Sequence, residues 1–265
     1  MEDKKTPIGL IIFLLILILL LGGYIVLDKM VLSKNDTSNK TSIDDVSIDL
    51  NVLYRIGDTL DKFDSAFNDS NSEYFGYLYK SDKLLASKFD NGAALFATIH
   101  DDLVGTNTAQ YLVGAKVKNK FEKIFGKNLT YQPTSIKAGT YYNIIYNESN
   151  STFAYTAPTV TNVYPSEYVT INTKTKIEDD KVLVTRKTFF VEYKSNDGGT
   201  DITKANIYTN LDKNKLVGEI NLRNNVLNED EVLAKYGSRF NEYLFTFKQN
   251  TNNEDYAFYS LEKVK

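Results

Sequence analysis

The chain contains a single histidine, His100, in the run Ile99-His100-Asp101-Asp102. An imidazole beside carboxylates is the raw material of a general base or a metal ligand. One imidazole cannot build a multi-histidine metal centre, and any Ser–His pair would have to use His100. The run reads as helical. Neighbours one and two positions apart on a helix do not face each other, so Asp101 and Asp102 are expected to point away from the ring. A surface or part-buried histidine near a helix end is therefore the expectation. Cysteine is absent, which excludes a thiolate nucleophile, a Cys-ligated zinc and a disulfide framework.

Other spacings carry less chemistry. Ser260-Leu261-Glu262-Lys263 has the Ser-x-x-Lys spacing of some acyl-transfer enzymes, but those need a helix, and this segment reads as a strand in which residues three apart point to opposite faces. Asn196-Asp197-Gly198-Gly199-Thr200-Asp201 offers calcium-friendly oxygens without the spacing of an EF-hand, and reads as a hairpin turn. The sequence has no Gly-x-Ser-x-Gly, phosphate-cradling loop or His-Glu-x-x-His. Lys116, Lys120, Lys123 and Lys127 recur at steps of four, three and four, so on a helix they form one stripe opposite Val117, Phe121 and Ile124. Such a stripe could lie against anionic lipid or a wall polyanion. No catalytic, cofactor-binding or metal residue and no cofactor is expected. Carboxylate-pair hydrolysis stays open, because 34 acidic residues will place some pair at a working distance that spacing cannot reveal.

Residues Ile8 to Leu27 form an apolar run with no charge in it, after a tail of Met1 to Pro7. Roughly 20 apolar residues suffice to cross the hydrocarbon core, and Pro7 fits the first turn of a helix. The run is longer than the core of a signal peptide and lacks a small-x-small cleavage site, so it reads as an uncleaved anchor. Lys4 and Lys5 before it nearly balance Lys29, Lys34 and Lys40 after it. The short tail followed by one anchor and a large domain favours the N-terminus inside and the domain outside. The polar stretch Ser33 to Ser42 reads as a linker.

The elements that would position any site lie beyond Ile43. Val46, Leu50, Leu53, Ile56, Leu60, Phe63 and Phe67 repeat at helical steps, with Asp58, Asp61 and Asp64 on the expected solvent side. The same stripe could instead pair with a second copy as a short coiled coil, although Gly57 interrupts it; packing on the protein's own sheet, and hence a monomer, is expected. A second helical stretch starts with Ser81 as N-cap and includes Leu85, Phe89, Phe96, Ile99 and Leu103, with a break at Asp90-Asn91-Gly92. A third spans 109 to 125, and Gly126 stops it. From Thr140 the period changes to two. Strands are expected at 140–146, 152–157, 167–177, 182–194, 204–210 and 216–220. A short helix over 229–236 and a hairpin of 243–248 with 256–264 close the chain. Aromatics fall on both faces of some strands, as at Phe189 and Phe190, so one face could expose tyrosines for glycan or peptide contact.

The order gives an α+β fold: an N-terminal transmembrane helix, then helices packed on an antiparallel β-sheet. The expected layout is a cytoplasmic tail at 1–7, a transmembrane helix at 8–27 and a linker at 28–42. An extracytoplasmic domain occupies 43–265, helical over 43–137 and β-rich over 138–265. The formal net charge of −3 gives no case for nucleic acid.

In Val117 to Tyr131, VKNKFEKIFGKNLTY, and in Tyr243 to Lys265, YLFTFKQNTNNEDYAFYSLEKVK, the chain resembles a group of uncharacterised single-pass envelope proteins of low-GC Gram-positive bacteria. The likeness implies placement in a cell envelope and assigns no catalytic residue. The functional expectation is a membrane-anchored binding or assembly module without catalysis, its partner an envelope protein or wall polymer. A membrane-anchored hydrolase and the sensory domain of a membrane complex are the alternatives.

Overall fold

The computed structural model describes residues 50–103, 110–155, 166–195, 202–223, 225–250 and 255–265. The apolar run at 8–27, the linker, Val46 and the turn at 196–201 lie outside them. Every described element belongs to one compact unit, Ile48–Lys265. No described helix is long and apolar enough to cross a membrane.

The fold is α+β with two antiparallel sheets. Helix α1 (Leu50–Phe67) is followed by β1 (Lys83–Leu85), α2 (Asn91–Leu103), β2 (Gln110–Val113) and α3 (Gly114–Phe125). Then come β3 (Ile136–Ala138), β4 (Tyr142–Asn147), β5 (Thr152–Tyr155), β6 (Ser166–Glu178), β7 (Lys181–Ser195), β8 (Ile202–Tyr208) and β9 (Leu216–Asn221). Helix α4 (Glu229–Tyr236) and the hairpin β10 (Asn241–Gln249) and β11 (Tyr256–Lys263) close the chain. The larger sheet has the order β1-β11-β10-β7-β8-β9, with β6 also on β7; the smaller has the order β2-β5-β4-β3. The 15-residue β7 pairs with β10 over Lys181 to Thr188 and with β8 over Phe190 to Ser195, while β6 follows it from Lys181 to Glu192.

Helix α1 buries Ile56, Leu60, Phe63 and Phe67, steps of four, three and four on one face. Phe63 packs edge-on to Phe258 of β11 at 5.1 Å and meets Phe67, Phe89 and Phe125 at 5.9 Å each. Burying each such side chain contributes about 1.5–3 kcal/mol, so this stripe fixes α1 on the sheet. The heptad stripe is thus used internally from Ile56 onward, while Leu50 is 76% exposed.

Both faces of β7 are covered from Thr188 to Val191. Phe189 stacks on Phe240 at 4.5 Å, in a core with Val232 and Tyr236 of α4, while its neighbour Phe190 packs against Tyr168 and Phe75. Adjacent aromatics on a strand need two dry faces, and α4 supplies the second. Asn228 caps α4 by accepting from the Glu231 N–H at 3.1 Å, with Glu229, Asp230 and Glu231 at the positive end of the dipole.

Three local expectations are corrected. Residues 83–85 are extended, because Leu84 pairs with Leu261 at the sheet margin, and the helix starts only after Asp90. Asp90, not Ser81, is its cap, accepting from the Ala93 N–H at 2.8 Å. Residues 110–113 are likewise a strand, pairing with β5, so that α3 begins at Gly114. A Cβ there would lie 2.6 Å from the Ser151 carbonyl oxygen, which accepts the Gly114 N–H at 2.7 Å. Asp64 is not a solvent-side carboxylate. It holds Arg186 of β7, which is 4% exposed, through both guanidinium nitrogens, and Thr170 of β6 donates to the same carboxylate.

Candidate functional site

His100 is the centre of a polar cluster built from several elements. The turn after α1 presents Asp69, whose Oδ1 accepts the backbone N–H of Asn71 at 2.9 Å and its amide at 3.0 Å. That local Asx geometry aims Oδ2 inward, to 3.0 Å from His100 Nε2. Tyr142 of β4 donates its hydroxyl to the same Oδ2. On the other side of the ring, Ser65 Oγ of α1 lies 3.0 Å from Nδ1. Phe96 packs edge-on to the imidazole at 5.0 Å. His100 is 3% exposed, so the expectation of a surface or part-buried ring is corrected. Asp101 does not point away either: its Oδ1 is 3.8 Å from Nδ1.

The electrostatics follow from the contacts. Burial alone would lower the His100 pKa, but the Asp101 and Asp69 carboxylates outweigh it and raise the pKa above 6.5. Burial likewise works to raise the Asp69 pKa, yet its bonds from His100, Tyr142 and Asn71 bring it below 3.8. Asp101 is lowered chiefly by His100. With Asp69 anionic and accepting, Nε2 carries a proton, and Nδ1 either accepts from Ser65 or, in the imidazolium, donates.

The order Ser65–His100–Asp69 is that of a nucleophile, base and orienting carboxylate. The surroundings do not complete it. Ser65 lies inside α1, where its own N–H belongs to the helical ladder rather than to an oxyanion site. Asp101 brings a carboxylate beside the ring nitrogen that Ser65 faces, an unfavourable neighbour for a developing oxyanion. The cluster therefore fits a clasp between α1, α2 and β4, centred on the buried His100 and Tyr142 rings, better than a hydrolytic centre.

Asp101 also lines a cleft of about 560 Å³. Helix α1 forms one wall with Tyr54, Arg55, Asp58 and Lys62, whose positions recur on one face, and α3 forms another with Lys120 and Lys123. Asp255 and Tyr256 close it from the start of β11. Most of its charges are matched: Arg55 pairs with Asp255, Lys62 with Asp58, and Lys120 bonds both Asp102 oxygens at 2.6 and 2.7 Å. Lys123 has no carboxylate partner among the described residues. Tyr54 is 80% exposed at the mouth. The volume suits a small molecule or a few units of a polymer.

The lysine stripe is split by this arrangement. Lys116, Lys120 and Lys123 are on α3, but Gly126, at φ 55°, ends the helix and leaves Lys127 beyond it. Lys120 and Lys123 reach the cleft and Lys116 does not. Asp69, Ser65 and Tyr142 were not visible as partners of His100 in the sequence, since they lie 31, 35 and 42 positions away. The one local signal was the Asp69-Ser70-Asn71 turn itself. Comparison with protein-family models, curated proteins and solved structures found no match for this chain.

Proposed function

We propose that the chain is a membrane-anchored, extracytoplasmic binding or assembly module of a bacterial cell envelope, without catalysis. Its tail, 1–7, is cytoplasmic. Ile8 to Leu27 span the membrane and 28–42 tether the domain outside. The anchor reading rests on the length and purity of the apolar run, and the envelope reading on the resemblance in Val117 to Tyr131 and Tyr243 to Lys265. The observation that carries the binding role is the charge-matched, tyrosine-rimmed cleft between α1, α2 and α3. A site whose ions already pair favours a polar, near-neutral ligand with at most a small anionic excess for Lys123, such as a segment of wall polymer or an envelope protein.

The test is binding of the full-length protein to isolated cell walls and to membrane extracts. Tyr54→Ala with Lys123→Gln should cut retention about tenfold, about 1.4 kcal/mol. Retention unchanged by both substitutions would remove the cleft from the argument.

A second reading has one observation in its favour, the Ser65–His100–Asp69 order of contacts. In it the chain is an anchored serine hydrolase. An organophosphonate that labels Ser65 in the wild type, but not in His100→Gln with folding intact, would establish that reading; absence of labelling in folded protein supports the binding module.

A further inference from the structure

A second pocket, of about 570 Å³, opens where β9 begins and α4 hands over to β10. Its wall carries Lys215, Arg239 and Lys265, together with Leu216, Ser238 and Asn241, and no Asp or Glu side chain. In a domain whose sequence is acidic overall, three cationic side chains around one concavity with no acidic side chain in its wall are unexpected. The helix cleft shows the ordinary arrangement, in which cations meet acids.

Here main-chain carbonyls take the place of acids. Arg239 donates from Nη1 to the Val217 carbonyl at 3.1 Å, and Lys265 donates to the Ser238 carbonyl at 2.9 Å. A neutral carbonyl fixes a cation without cancelling its charge. Arg239 is exposed and makes no other hydrogen bond among the described residues, so one edge of its guanidinium is open. Glu242, next to Asn241 of the wall, turns its side chain to Lys187 at 3.5 Å. The backbone oxygen of Lys265 is occupied by the Glu242 N–H. Strand β9 ends the strand order of its sheet among the described residues, and the pocket opens beside it.

We propose that this pocket binds a phosphate group, carried by a small soluble ester or by a lipid headgroup. A guanidinium edge and two ammonium groups in the wall of one concavity suit a tetrahedral, doubly charged oxyanion, and a single carboxylate would leave more of that charge unmet. Leu216, exposed beside the cations, offers apolar contact to the ester's carbon chain. The site is independent of the helix cleft and of the binding role assigned to it.

Glycerol phosphate is titrated calorimetrically into full-length protein in nonionic micelles at low salt. The expected result is saturable binding that Arg239→Gln and Lys215→Gln each weaken about tenfold and that Lys137→Gln, on β3 and in neither pocket, leaves unchanged. The same titration in micelles doped with phosphatidylglycerol separates the sources. Lost soluble binding there, but not with phosphatidylcholine, assigns the pocket to the headgroup; unchanged binding assigns it to the soluble ester. No saturation by about 50 mM in any micelle, or equal weakening by Lys137→Gln, would overturn the proposal. So would pocket variants that bind like the wild type.

Discussion

Asp69 and His100 meet at 3.0 Å between Oδ2 and Nε2, joining the turn that ends α1 to the last turns of α2. The bond is made in a nearly dry place, and Tyr142 adds a second donor to the same oxygen from the smaller sheet. Two helices and that sheet are thus coupled through one carboxylate.

That coupling sets a pH window. The folded-state pKa of His100 lies above 6.5, so its contribution to stability is complete below 6.5 and is lost as pH rises through the folded value. The Asp69 pKa lies below 3.8, so its contribution is present above 3.8 and is lost as pH falls through the folded value. The urea midpoint should therefore fall as pH is raised from about 6 to about 9, and His100→Gln should flatten that part of the profile. Asp69→Ala, which strands two buried donors, should cost about 1–3 kcal/mol for each. A wild-type midpoint that rises over the same interval would contradict the assignment.

Arg186 tests a different kind of burial. It is 4% exposed, and Asp64 is its carboxylate partner. Removing Asp64 leaves a guanidinium in a dry interior, so Asp64→Ala should destabilise by about 3 kcal/mol, the lower end for buried pairs because Asp64 is partly solvated. Replacing both residues by Leu and Met should recover most of that loss. A loss below about 1 kcal/mol in chemical denaturation would show that water reaches Arg186.

The sequence carried most of the strand pattern, because period-two runs such as Val182 to Lys194 are bounded by turn residues that act locally. It misassigned 83–85 and 110–113, where apolar spacing fits either period and a distant partner decides. Leu84 is extended because Leu261 is beside it, and Tyr111 because Ala154 is. The site was less legible for the same reason. His100 was visible as a lone imidazole, but Asp69 and Tyr142 reach it only after the helices and the smaller sheet pack. The cleft lysines were legible as a stripe, whereas the acid that neutralises Lys120 comes from another helix.

Two glycines should respond to alanine with opposite signs. Gly57 sits within α1, and a Cβ there meets nothing within 4 Å, so Gly57→Ala should stabilise by about 0.5–1 kcal/mol. Gly114→Ala drives its Cβ onto the Ser151 carbonyl, a main-chain atom that cannot rotate aside, and should cost about 1–3 kcal/mol. Thermal melts of the two variants give the comparison directly; like signs would be inconsistent with these contacts.

The first helix bears on oligomeric state. A two-stranded stalk would need Ile56, Leu60, Phe63 and Phe67 to face a second copy, but those side chains are buried against the protein's own sheet and helices. What remains exposed is Leu50 and Tyr54 at the start of the helix, too little apolar surface to sustain a coiled coil of this length. The full-length protein in detergent should therefore scatter light as a monomer. Leu50→Asp should leave both its mass and its melting temperature unchanged. A dimer that this substitution dissociates would mean that the exposed end of α1 is an interface.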